Sequence, residues 1–471
     1  MSRTRVVCTI GPATSTADAI QGLVDAGMDV ARLNFSHGTH QQHADVAASI
    51  RRAAGAAARP IAILQDLAGP KVRTGTIPGP GARLESGQPF VLTTRPVEGG
   101  RESVSVTYDG LPGDVRPGDV LMLADGAIEL SVESVTRHDI VCRVVTGGVL
   151  TSHKGINLPA RSISAPALTD KDLVDLAFGI EIGVDAVAVS FVRSARDIAV
   201  VREALEGLGA RIPIIAKIEK HEAVENLAEI IEVVDGVMVA RGDLGVEIPL
   251  ETVPLVQKRI ITAANRAAKP VITATQMLKS MEKSPRPTRA EVTDVANAVL
   301  DGTDAVMLSE ETAIGRYPVE SVETLRRIAA VTEGSGLMTA GRRGASGTAD
   351  TADESVAEAA CRMADTLDAR AIVTFTHSGS TARLVASHRP KQPILAPTPT
   401  RATMHGLALV WGVTPALSAT ESSATAEEIE REGLRVAREH LGIGAGDRVV
   451  ITAGLPLYVP GTTNLIKVAT G

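Results

Sequence analysis

Short runs rich in Val, Ile and Ala alternate with amphipathic Ala/Leu/Glu/Arg stretches from residue 5 to residue 309, a pattern that restricts the chain to repeated βα units. The strand-like runs are 5–9, 29–33, 61–65, 185–190, 212–218, 236–240, 270–275 and 305–309. All but the third lead promptly into a helix-like segment. Eight such units predict a closed (β/α)8 TIM barrel, with its chemistry at the C-terminal ends of the strands. Aromatic residues make up only 2% of the chain, so the core must be built from Val, Ile, Leu and Ala, which suits strands buried on both faces.

The gap after the third strand reads differently. From 71 to 166 the sequence has short alternating strands and turn punctuation such as Pro78-Gly79-Pro80-Gly81, with little helical periodicity. It predicts a small all-β domain inserted in a βα loop. Residues 333–353 are rich in Gly, Ser, Thr and Ala and predict a linker. Beyond them αβ patterning resumes, with strand-like 371–376, 394–396 and 448–452. The expected organisation is a barrel of 1–70 plus 167–340, an inserted β domain of 71–166 and a C-terminal open-sheet αβ domain of 348–471.

Several classes of function are disfavoured. A net charge of -7 and scarce aromatics supply neither the electrostatic attraction nor the stacking platforms of nucleic-acid binders. Cys8, Cys142 and Cys361 are scattered, with no CxxC pair to suggest a disulfide framework or a zinc site. The polar opening and the lack of a long apolar run point away from secretion and membranes and predict a cytoplasmic location. In that compartment the glycosylation match Asn34-Phe35-Ser36 is meaningless. There is no GxxxxGK[ST] loop, and Gly442-Ile443-Gly444-Ala445-Gly446 stands between a helix-like and a strand-like stretch, the wrong order for a dinucleotide fingerprint.

The predicted strand ends carry the chemistry. Strand two ends in Arg32-Leu33-Asn34-Phe35-Ser36-His37, and strand three in Asp66, running on to Lys71 and Arg73. Strands five to seven end in Lys217-Ile218-Glu219, Arg241-Gly242-Asp243 and Thr275-Gln276. Glu219 and Asp243, with no thiolate or His adjoining, suit a hard cation such as Mg2+ or Mn2+, though carboxylates at a barrel rim are often only salt-bridged. Lys217 lies two residues from Glu219 on the same strand face, where it can help neutralise a phosphoryl group in transfer. Arg32 either pairs with Asp66 or binds a substrate phosphate. Gly242 and Asp243 read as the start of a helical turn whose free amides suit a small anion. Thr275 reads equally as an ordinary β-branched strand residue.

These segments resemble the motif set of the pyruvate kinase family. The resemblance rests on Cys8-Thr9-Ile10-Gly11-Pro12, on Ala31 to Gly38, on Lys217-Ile218-Glu219 and on Met238 to Gly245. Ala274 to Leu278, Pro287 to Glu291 and Asp294 to Ala298 complete it in order. It implies transfer of a phosphoryl group from phosphoenolpyruvate to ADP, giving pyruvate and ATP, with Glu219 and Asp243 holding Mg2+. It further implies that Lys217 stabilises the group in transfer, that Arg32 binds the phosphate, and that the Gly242 and Asp243 amides hold the carboxylate beside Thr275. Arg73 and Lys154 would meet the nucleotide phosphates as the inserted domain closes, with Asn34 and His37 on the nucleotide side. Asn34, Ser36 and Asp66 match a monovalent-cation site. A homotetramer with a regulatory C-terminal domain is also implied.

The sequence departs from that pattern at several positions. Lys71 stands where potassium-dependent members carry Glu, and Leu67 replaces their Thr, while Thr74 keeps the dependent type. A tethered ammonium at Lys71 predicts activity without K+. Gln42 replaces a Tyr able to lie against adenine, and Glu310 replaces a Gly. His377 replaces a Lys in the loop Thr376 to Thr381, which predicts weak or no activation by a sugar bisphosphate and leaves two readings equally open: a phosphorylated effector such as AMP or a sugar monophosphate, or a loop that takes no ligand. Two other readings compete: a metal-dependent barrel lyase acting on an enolate, which would not need Arg73 or Lys154, and a catalytically dead metabolite sensor, which would be expected to have lost Lys217 or a metal ligand.

Overall fold

The computed structural model describes residues 2–158, 164–340, 351–457 and 462–471. Eight parallel strands close into a barrel: Arg5–Ile10, Val30–Asn34, Ala62–Asp66, Ala186–Val189, Ile214–Ile218, Gly236–Ala240, Val271–Ala274 and Ala305–Leu308. Arg5 pairs with Ala305, which joins the first strand to the eighth and leaves no open edge. Val7, Val30, Leu64, Ala188, Ile215 and Met238 fill the interior, and the helices pack outside. The high share of Ala inside leaves room for large polar groups above.

A regular device closes the lower rim. The residue just before each even-numbered strand is an Asp, and its carboxylate accepts the backbone N–H of the preceding odd-numbered strand. Asp29 accepts from Val6 (2.9 Å), Asp185 from Ile63 (2.7 Å), Asp235 from Ile214 (3.0 Å) and Asp304 from Val271 (3.1 Å). A buried N–H left without a partner is costly, so each Asp fills a gap in the ladder that the next strand begins too late to fill. Each carboxylate is in turn paired with Arg. Asp29 meets Arg326 at 2.6 Å, and Arg5 and Arg59 at 3.3 Å each.

Between the third strand and the helix Asp170–Glu181, the chain forms a six-stranded and a two-stranded sheet around their own apolar core. One short helical turn, Leu111–Asp114, is its only helix among the described residues. The C-terminal region is a five-stranded sheet in which Thr463–Thr470 runs antiparallel at one edge and Val413–Leu417 forms the other. Sequence reading missed both edge strands. Val413–Leu417 contains Pro415, which an edge position tolerates because its missing N–H faces no neighbour. The expected linker falls partly on 341–350, and Pro159 of the His153 to Pro159 segment on 159–163; both lie outside the described residues.

The C-terminal region docks on the lower rim, opposite the strand ends that carry the chemistry. Ala408 and Leu409 join the apolar cluster of the barrel interior. Arg389, its side chain 1% exposed, donates to Asp304 at 2.7 Å, and His405 meets Asp185 at 2.8 Å. None of the described helices is long and apolar enough to cross a membrane.

Burial alone would raise the Asp29 carboxyl, but Arg326, Arg5 and Arg59 outweigh it and hold it below the ordinary carboxylate range. Its contribution to stability is therefore complete above the unfolded value of about 3.9 and is lost as pH falls through the lower folded value. Asp29→Asn should lower unfolding stability by about 3 kcal/mol at neutral pH, because it removes the buried carboxylate that three half-buried arginines share. Urea melts across pH should show the two proteins converging in acid; a constant gap down to pH values well below about 3 would exclude this role for the carboxylate.

Candidate active site

Strand parity decides which side chains meet at the upper mouth. Val7, Val30, Leu64, Ala188 and Ile215 point into the barrel, so Thr9, Arg32, Asp66, Ser190 and Lys217, each two residues further on, point the same way. Glu219 continues that face just beyond the fifth strand. The outcome is an unbroken line of charge across neighbouring strands. Arg32 Nε donates to Asp66 Oδ2 at 2.6 Å, and Arg32 Nη1 to Thr9 Oγ1 at 2.9 Å. Lys217 Nζ lies 3.3 Å from Asp66 Oδ1 and 2.8 Å from Glu219 Oε1, and donates to Ser190 Oγ at 2.7 Å. The Asp66 and Glu219 side chains are each 1% exposed. Sequence reading left Arg32 with two alternatives, and the structure pairs it with Asp66.

The protonation states follow from this line. Burial would raise the Asp66 carboxyl, but Arg32 and Lys217 hold it below the usual range. Burial would lower the Lys217 ammonium, but Asp66 and Glu219 outweigh it and keep the amine charged. Glu219 has less compensation: burial pushes its carboxyl up, Lys217 opposes, and the like charge of Asp243 adds to the rise.

Asp243 belongs to the short helix Arg241–Glu247, which starts directly from the sixth strand. Gly242 N donates to Thr275 Oγ1 at 2.9 Å, so the amide expected to hold an anion is occupied by the hydroxyl expected beside it. Thr275 is not a strand residue. It lies past the seventh strand at φ 68, followed by Gln276 at φ 55, a left-handed conformation costly for a β-branched side chain. Arg241 holds it there, donating to the Thr275 carbonyl at 2.6 Å and to Asp294 at 2.8 Å. Arg241, Asp294 and Ser190 were given no role by sequence reading: a left-handed Thr leaves no sequence mark that points to Arg241 and Asp294, and Ser190 meets Lys217 only across neighbouring strands.

Lys71, at the base of the inserted domain, pairs its ammonium with Asp243 Oδ1 at 2.9 Å. Burial would raise the Asp243 carboxyl, but Lys71 and Lys217 bring it below the ordinary range. Arg73 and Lys154 lie on neighbouring segments, tied by the bond from Thr74 N to the Lys154 carbonyl (2.8 Å) and from Arg73 Nη1 to the His153 carbonyl (3.2 Å). His37 is exposed near the second strand's end, and its pKa is lowered first by partial burial and then by the charges of Arg73 and Arg32. Asn34 Oδ1 accepts from Ser36 N at 3.1 Å, folding that pair into a turn beside Asp66, since Asn34 and Asp66 are register partners. The unusual residues have local duties. Gln42 completes a capping box with Thr39 at the start of His40–Ala56, and Glu310 pairs with Lys279 at 2.9 Å.

Comparison with known proteins shows the family of this fold. Residues 1–322 match the pyruvate kinase barrel domain, and residues 354–469 the pyruvate kinase alpha/beta domain. Over 470 residues the chain is 47% identical to pyruvate kinase 2 of Synechocystis, covering 99% of this chain and 79% of that protein. It is also 47% identical over 478 residues to the pyruvate kinase of Geobacillus stearothermophilus, covering 99% and 80%. A crystal structure of a pyruvate kinase from Cryptosporidium parvum superposes with a TM-score of 0.92 at 37% identity, covering 100% of this chain and 96% of that one. The chain belongs to the pyruvate kinase family.

Proposed function

We propose that the enzyme transfers a phosphoryl group from phosphoenolpyruvate to ADP, giving pyruvate and ATP. The observation that carries this reading is the Lys217 ammonium, held charged at the barrel mouth between Asp66, Glu219 and Ser190. Glu219 and Asp243 fit a Mg2+ or Mn2+ ion: both offer only hard oxygens, and Glu219 is buried with too little positive charge around it. Such an ion, when bound, supplies positive charge to the substrate oxygens. Arg32 turns its free N–H groups to the phosphate, and the Gly242 and Asp243 amides take the carboxylate once Thr275 yields its bond.

As the phosphorus–oxygen bond to the enol breaks, a bond forms to a terminal oxygen of ADP. Lys217 offsets the charge spread over the oxygens in flight, an interaction strongest in the transition state. The enolate released then takes a proton at carbon, near Thr275, and ketonisation makes the overall transfer favourable. Arg73 and Lys154, on mutually bonded segments of the inserted domain, approach the ADP phosphates as that domain closes. The lyase reading leaves these two basic residues without work. The direct test is pyruvate release from phosphoenolpyruvate that depends on ADP.

Lys217→Met should keep the fold yet lose about 3 kcal/mol or more of transition-state stabilisation, roughly a hundredfold in turnover. Ketonisation of added enolpyruvate should be less affected; near-normal phosphoryl transfer would refute the assignment. Lys71 supplies a fixed positive charge beside Asp243, in place of the Glu of potassium-dependent relatives. A K+ ion about 4 Å from that ammonium would meet repulsion of roughly 4 kcal/mol at an effective dielectric near 20. Turnover should therefore proceed with tetramethylammonium as the sole monovalent cation, and Lys71→Glu should create a K+ requirement; strong stimulation of the unaltered enzyme by K+ would contradict this. In the C-terminal loop, Gly379 at φ 85 leads into the helix Ser380–Ser387, with His377 where a Lys would grip a second phosphate. Titration should find AMP or a sugar monophosphate binding more tightly than fructose 1,6-bisphosphate, and the reverse order would overturn the role given to His377.

A further inference from the structure

A second cluster of ligating groups lies outside the catalytic line. His221 and Glu222 begin the helix His221–Glu225, and Glu247 ends the helix Arg241–Glu247. His221 Nδ1 lies 3.1 Å from Glu222 Oε2 and 3.5 Å from Glu247 Oε2, and one ligand atom from each residue falls within 4.8 Å of the others. The Glu247 side chain is 0% exposed. Its Oε2 has no hydrogen-bond partner among the described residues, and neither does His221 Nδ1, although the two face each other. An imidazole nitrogen and a carboxylate oxygen this close would ordinarily share a proton in good geometry. Here they converge on a point between them.

Those spacings have a physical meaning. Two donors on a tetrahedral ion with bonds of about 2.0–2.1 Å stand about 3.3 Å apart, between the two separations observed. The other oxygen of Glu247 is already anchored: Oε1 accepts from Lys220 Nζ at 2.7 Å and from Asn157 Nδ2 at 3.1 Å. That is the outer support a ligating carboxylate needs to keep its free oxygen aimed. Asn157 belongs to the inserted domain, in the strand Ile156–Asn157, so the cluster joins two barrel loops to that domain's root.

The geometry points to a binding site at His221, Glu222 and Glu247 for a borderline divalent ion of the Zn2+ class. One nitrogen and two oxygens favour such an ion over Mg2+, which prefers an all-oxygen, water-rich shell. The ion stiffens the root of the inserted domain and is separate from the one held by Glu219 and Asp243.

The test uses full-length protein, stripped with a chelator and dialysed against Zn2+ in the presence of a large excess of Mg2+, which competes for the Glu219–Asp243 pair. The unaltered protein should retain one zinc equivalent per chain more than His221→Ala. Glu222→Gln, isosteric and at a partly exposed position, is the second variant should the first fail to fold. With Co2+ in place of Zn2+, only the unaltered protein should show the intense visible bands of a four-coordinate ion. Equal zinc contents in the unaltered protein and Glu222→Gln, or cobalt bands that persist in either variant, would overturn the site.

Discussion

The barrel depends on satisfying a backbone N–H at or next to the start of every odd-numbered strand, and the Asp placed before each even-numbered strand does this four times. Parallel strands tilted around a closed barrel are staggered, so the lower rim exposes donors that no neighbouring carbonyl reaches. A carboxylate solves that problem and creates another, since a buried negative charge must itself be compensated. Arginines from the outer helices supply the charge at Asp29, Asp185 and Asp235. At Asp304 the compensating Arg389 comes from the C-terminal region. The same device that closes the barrel thus docks the second αβ unit beneath it.

The upper mouth reverses the priorities. Three cations, Arg32, Lys71 and Lys217, face three carboxylates, Asp66, Glu219 and Asp243, in interlocking pairs. Each charge has a partner, which makes burial tolerable, but the pairs are uneven. Glu219 shares Lys217 with Asp66, and Lys71 occupies Asp243 from a half-exposed position at the root of the inserted domain. Ligand binding can therefore redistribute existing partners, without uncovering an isolated charge. Backbone strain is present here too: Phe191, Thr275 and Gln276 all have positive φ. The sheet below is regular enough to hold such residues in place.

Much of this was legible in sequence. All eight barrel strands fall within or beside the predicted runs, because parallel strands buried on both faces must be apolar and β-rich. The period of two then fixes that Lys217 and Glu219 face the mouth, and that Arg32 and Asp66 share it. The edge strands of the C-terminal sheet were missed, since an edge tolerates Pro and polar residues without penalty. The repeated Asp was visible as letters, in Met28-Asp29-Val30, Val184-Asp185-Ala186, Val234-Asp235-Gly236 and Thr303-Asp304-Ala305. Its purpose was not, because the N–H it serves belongs to a strand distant in sequence.

What the sequence determined by itself was the fold class, the identity of the charged residues at the strand ends and the family, since local periodicity and ordered motifs carry that information. What only the tertiary structure decided was pairing. Asp66, not substrate alone, claims Arg32; Lys71 reaches Asp243; Thr275 leaves its strand and is held by Arg241, itself oriented by Asp294. The same holds for His221, Glu222 and Glu247, whose separation along the chain gives no hint that their ligand atoms converge. Electrostatic partners are chosen by distance and burial in three dimensions, and those are properties of the closed barrel, absent from any one segment of the chain.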